Sequence, residues 1–95
     1  MILSLHSLGE ANCIKSMGDI ALARADQNDA RVRYGQALML YQHISEPYSL
    51  GITHRQLARL ASDTDAKQSH VVAAFAAWQQ IKRNDLIAEI KSEFA

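Results

Sequence analysis

Proline occurs once in this chain, at position 47, cysteine once, at position 13, and glycine four times. Scarce proline leaves long stretches in which no residue blocks helix propagation. The lone cysteine excludes an intramolecular disulfide and any paired-thiol metal site, and it fits a reducing, cytoplasmic setting. Aromatic residues are 6% of the chain, so the core must be built mainly from small and aliphatic side chains, above all fifteen alanines. An excess of one charge is also missing, since ten Lys and Arg balance ten Asp and Glu. That balance argues against the clustered positive field of a nucleic-acid-binding surface and against a polybasic membrane anchor. No apolar run approaches the ~20 residues of a membrane span. The opening Met1-Ile2-Leu3-Ser4-Leu5 lacks both the basic flank and the length of a signal peptide.

What is present is helical periodicity, in five segments. Ser7-x-x-Glu10 has the form of a capping box and predicts a first helix to about Ala25, burying the stripe Ile14, Met17, Gly18, Ala21 and Ala25. Asp26-Gln27-Asn28 is a polar turn, with Asn28 as the N-cap of a second helix. This helix reaches Ile44 along Ala30, Tyr34, Ala37, Leu38 and Tyr41. Ser45-Glu46-Pro47 is the next break, and proline is accepted in a helix's first turn. A third helix is expected from Tyr48 to Ser62. Asp63-Thr64-Asp65 caps a fourth that ends near Arg83. Asn84-Asp85 caps a short fifth, with Leu86, Ile87, Ile90 and Phe94 on one side and Glu89, Lys91 and Glu93 pointing away. Ninety-five residues make one domain at most. Its expected parts are an apolar segment over 1–7, a first unit over 8–44, a second over 48–83 and a terminal helix over 85–94.

The first two helices are echoed further along. Met17, Gly18, Ile20 and Ala21 have counterparts forty residues on in Leu57, Ala58, Leu60 and Ala61. Tyr34, Ala37, Leu38, Tyr41 and Ile44 have counterparts thirty-seven residues on in Val71, Ala74, Phe75, Trp78 and Ile81. Three residues are therefore missing near Ser62–Asp65, and His54 stands where Ile14 would be. Gly18, Ala21, Ala30 and Ala37 let two backbones approach within the ~8–10 Å of close helix packing. Tyr34, Tyr41, Phe75 and Trp78 fill the wider gaps.

This grammar resembles the tetratricopeptide repeat, in its long variant of about forty residues. Ile14, Met17, Gly18 and Ala21 match the family's first helix, and Ala30, Tyr34 and Ala37 its second. The second copy is degenerate, and the family's closing proline is absent from both. The resemblance covers Leu8 to Arg83. It implies an all-α fold of two tetratricopeptide-like hairpins plus a C-terminal capping helix, a fragment of right-handed α-solenoid from the C-terminal part of an array. It further implies a non-catalytic scaffold, sensor or adaptor module that holds a protein or peptide on a concave face. The groove-facing positions would be Asn12, Lys15, Asp19, Ile52, Arg55 and Arg59. Lys15, Arg55 and Arg59 suit an acidic or carboxylate-ended peptide, whereas Asp19 would repel one. The plainer reading of these six is a solvated helix face.

A second function class is a self-associating structural module with no peptide ligand, a homodimer formed through the apolar cluster Ile2, Leu3, Leu5 and Leu8. An enzyme is not expected. His6, His43, His54 and His70 show no i,i+4 pair or ligand cluster for a metal. Cys13, beside Ile14, reads as a small buried hydrophobe. Asp63 and Asp65 lack the glycine and glutamate of a calcium loop, and no glycine-rich phosphate loop is present. Neither a nucleophile–base pair nor a cofactor site can be assembled from the spacing.

Overall fold

Helix starts and stops follow from local chemistry at each turn. The structure is a computed structural model that describes the backbone from residue 3 and the side chains from residue 7. It contains α1 (Leu3–Ala23), α2 (Gln27–His43), α3 (Pro47–Leu60), α4 (Thr64–Gln80) and α5 (Asn84–Glu93). No strand occurs among the described residues, and the fold is all-α. α1 begins at Leu3, so Ser7 lies inside it and Ser7-x-x-Glu10 is not a capping box. Nothing between Leu3 and Leu8 stops the helix from propagating backwards. α2 is capped by Asp26 rather than Asn28, the Asp26 carboxylate accepting from the backbone N–H of Asp29 at 3.1 Å. Pro47 opens α3, and Asp63 caps α4 by accepting from the Ala66 N–H at 3.0 Å. Asn84 and Asp85 do not cap α5. Its N-cap is Arg83, with no side-chain capping bond. The Arg83 guanidinium instead forks Asp85 in the first turn at 2.9 and 3.0 Å and pulls that carboxyl down to about 2.

Three helices stop in the same way without glycine. After α1, Asp26 N–H bonds Ala21 C=O and Ala25 N–H bonds Leu22 C=O. After α2 the pairs are Glu46 to Tyr41 and Ser45 to Gln42, and after α4 they are Arg83 to Trp78 and Lys82 to Gln79. Each is a Schellman end, and the residue at the bend is left-handed: Ala25 at φ 62, Ser45 at φ 54 and Lys82 at φ 56. A side chain in that conformation costs about 1 kcal/mol against glycine.

The helices group into two units, Met1–Glu46 and Pro47–Ala95. In unit 1, α1 and α2 are antiparallel: Tyr34 meets Asp19, and Tyr41, further along α2, meets Asn12, further back on α1. The seam buries Ala11, Gly18 and Ala21 against Ala30, Tyr34, Ala37 and Tyr41. A Cβ added at Gly18 would lie 2.8 Å from the Tyr34 ring. Close approach reserves the seam for the smallest residues. Met17, expected inside, is therefore 40% exposed, and Ala25 is exposed beyond the helix end.

In unit 2, α3 and α4 form the second hairpin, and α5 completes its core. Ala58, Val71, Ala74, Trp78, Leu86 and Ile90 make one buried cluster, with Ile52, Phe75, Ile87 and Phe94 packed against it. Gly51 lies under the Trp78 indole, where an added Cβ would overlap the ring. The indole N–H donates to Tyr48 C=O at 3.2 Å. α3 ends at Leu60. The three residues missing from the second copy thus correspond to the last turn of α1.

Candidate functional site

Asn12, Lys15 and Asp19 lie on successive turns of α1 in unit 1. Asn12 accepts from the Tyr41 hydroxyl at 2.6 Å, and Asp19 accepts from the Tyr34 hydroxyl at 2.5 Å. Asp19 also pairs with Lys15 at 2.9 Å. Ile52, Arg55 and Arg59 lie on α3 in unit 2. Ile52 packs against the core cluster. Each unit brings its own three candidates onto one helix face.

Both α3 arginines, Arg55 and Arg59, face α5. Arg59 forks Glu93, Nε to Oε2 at 2.5 Å and Nη2 to Oε1 at 2.8 Å, and donates to Gln56 at 3.0 Å. Arg55 reaches Glu89 at 3.7 Å and lies over the Trp78 ring, 5.7 Å from its centroid. The Arg55 Nε is buried with no hydrogen-bond partner among the described residues. Glu89 and Glu93, expected to point away, therefore point at α3. Their helix turns its apolar side to the core and its acidic edge to the neighbouring arginines. Lys91 is also engaged, 5.4 Å from the centroid of the Phe75 ring. The Arg59 hydrogen bond holds the Glu93 carboxyl below the ordinary carboxylate range, desolvation opposes it, and the charges of Arg59 and Arg55 reinforce it. The Arg59–Glu93 pair is open to solvent, and Glu89 of the other pair is 66% exposed, so each contributes at most about 1 kcal/mol. They set register more than stability. Both pairs are thirty-four residues apart, so α5 runs parallel to α3.

A contact that local spacing does not predict lies on the α3–α4 seam. His54 Nδ1 and His70 Nδ1 are 3.0 Å apart, with ring centroids 5.2 Å apart. At that distance one nitrogen donates and the other accepts, so the pair is satisfied only if at least one ring is neutral. Burial, with the His70 charge adding, lowers His54 from 6.5 to about 4, and burial lowers His70 as well. The two are sixteen residues apart on different helices, which local spacing cannot detect. The available signal was His54 at the counterpart of Ile14. No group of three or more His, Cys, Asp or Glu suited to a metal ion occurs among the described residues.

Other candidates come out differently. Cys13 is exposed, not buried, because the seam passes through Ala11 and Gly18 on another side of α1. Leu8 is half-buried on α1, while the side chains of Ile2, Leu3 and Leu5 lie outside the described residues. An open pocket of about 420 Å³ in unit 1 has Met17, Ile20, Asp29 and Arg33 in its wall. Arg33 and Asp29 are 3.5 Å apart there, and their charges cancel. No described helix is long and apolar enough to cross a membrane.

No protein-family model matches this sequence, and searches of curated proteins and of solved structures return no match.

Proposed function

We propose that the two hairpins are tetratricopeptide-like units and that the chain is a non-catalytic protein-interaction module. Its contact surface is the cationic face of α3, and its ligand is a carboxylate-bearing protein segment. The observation that carries this reading is the seating of two glutamates of α5 on Arg55 and Arg59, beside an apolar strip that includes Ile52. A guanidinium recognises a carboxylate by paired, directional hydrogen bonds. The apolar strip adds area, and the two positive charges turn basic segments away. On α1, Lys15 is matched by Asp19 of the same helix, whereas Arg55 and Arg59 of α3 take their carboxylates from a separate helix, as they would from a ligand.

The test is a pull-down from lysate with the wild-type chain, with Arg55→Ala/Arg59→Ala and with Lys15→Ala. A partner kept by wild type and by Lys15→Ala, and lost by the arginine pair, is the expected result. A partner indifferent to the arginines would remove α3 from the account. Self-association is a second reading, supported by Val32 and Met39, which are 56% and 70% exposed on α2. Light scattering behind a sizing column decides it: one chain mass at high concentration eliminates the dimer.

A further inference from the structure

We propose that α5 is a displaceable resident of the α3 face, and that the partner of that face is an acidic amphipathic helix built on the α5 pattern. This rests on the interaction reading above and names its ligand. The pattern is Leu86-Ile87-x-Glu89-Ile90-x-x-Glu93-Phe94. Leu86, Ile90 and Phe94 recur every four residues to fill the apolar strip, and Glu89 and Glu93, also four apart, meet Arg55 and Arg59 one to one. The tetratricopeptide resemblance implies a carboxylate-reading role for those arginines, and two carboxylates of α5 lie against them.

The grip of α5 is incomplete. Arg59 holds Glu93 by two hydrogen bonds. Glu89 stays 66% exposed with its oxygen 3.7 Å from Arg55, and the Arg55 Nε has no partner among the described residues. A helix with its first carboxylate set closer would satisfy that nitrogen. α5 is also the shortest of the five helices, at ten residues, below the length at which a helix is stable alone. It lacks a side-chain cap and fully commits only Leu86 and Ile90 to the core. Tethering gives it an effective concentration in the millimolar range, so it lowers the apparent affinity of an incoming helix in proportion to its docked fraction.

A fluorescein-labelled peptide of residues 84–95 is the probe, titrated into the full chain. Wild type should bind it weakly, and Glu89→Gln/Glu93→Gln, which loosens the resident helix, several-fold and up to about tenfold more tightly. Adding Arg55→Gln/Arg59→Gln should abolish that binding. Ile90→Ala loosens α5 without touching charge and should reproduce the tightening if the glutamine variant loses helicity by circular dichroism. In the wild-type chain, α5 amides should exchange faster than those of α3 and α4. Equal binding by wild type and the loosened variants, with α5 protected as strongly as α4, would overturn displacement and leave the interaction reading standing. No binding by any variant, with α5 exchanging quickly, would overturn both. A doubled mass in light scattering without peptide that Arg55→Gln/Arg59→Gln returns to one chain mass would make α5 of a second copy the occupant and overturn a separate partner.

Discussion

In unit 1 the glycine that admits an aromatic ring is Gly18, beneath Tyr34 and close to the corner between α1 and α2. In unit 2 it is Gly51, beneath Trp78 and at the far end of the hairpin from the α3–α4 turn. The counterpart positions are filled in the opposite sense, with Ala58 and Val71 where unit 1 has Gly18 and Tyr34. Ala11 and Tyr41 stand where unit 2 has Gly51 and Trp78. Each seam keeps one large ring over one missing Cβ and moves that pair along its length. Close-packed interiors tolerate such volume-conserving exchange better than net change. The polar atoms differ more. Unit 1 sends its tyrosine hydroxyls to Asn12 and Asp19 at the rim. Unit 2 keeps two imidazoles within its seam, where unit 1 has Ile14 and Arg33.

Acid should separate the hairpins most strongly. An unfolded histidine takes up a proton below about pH 6.5, whereas folded His54 resists until about pH 4. The unfolded state binds more protons in that window, so stability falls as pH drops through it and is fully present above it. At 1.36 kcal/mol per pKa unit, the loss by pH 4 is about 2–3 kcal/mol. His54→Ile, the residue unit 1 carries there, should flatten the profile in urea melts between pH 7 and pH 4. An unchanged slope would remove His54 as its cause.

Next in size is the glycine under each ring. Gly51→Ala should cost about 2 kcal/mol, overpacking outweighing the gain in helix propensity. Gly18→Ala should cost about 1 kcal/mol, since its Cβ meets the ring less severely. Adding Trp78→Tyr to Gly51→Ala installs the unit 1 pair and should recover part of the loss. Strict additivity in that double-mutant cycle would mean the two positions do not share a volume.

The smallest effects lie at the helix ends. Ala25→Gly and Lys82→Gly should each raise stability by about 1 kcal/mol in chemical denaturation, because glycine accepts positive φ without strain. A gain in one unit alone would show that its Schellman end is held by more than backbone conformation.

Helix existence was legible because it depends on near neighbours. Pro47 and Asp63 announce their helices through φ restriction and a carboxylate cap, and the repeat offset correctly paired Tyr41 with Trp78. The ends near Ala25, Ser45 and Arg83 were legible too, but not their Schellman form, because the usual marker, glycine, is absent and the bend is imposed by hydrogen bonds spanning five residues. The seam was misjudged at Met17 and Cys13 because periodicity finds an apolar face but not how closely the neighbouring helix comes. Arg55 and Arg59 were found on one face of one helix. Glu89 and Glu93 were turned the wrong way because the orientation of α5 is decided by α3, thirty-four residues earlier. His54 and His70 meet through tertiary contact alone.

Trp78 is the chain's one tryptophan, fully buried in unit 2, while Tyr34 and Tyr41 belong to unit 1. The protein thus carries a built-in optical reporter for one half of itself. Excited at the red edge of aromatic absorption, its emission follows Pro47–Ala95, whereas far-ultraviolet dichroism sums all five helices. An emission shift on acidification that precedes the loss of dichroism would time the melting of one hairpin against the other with no label attached.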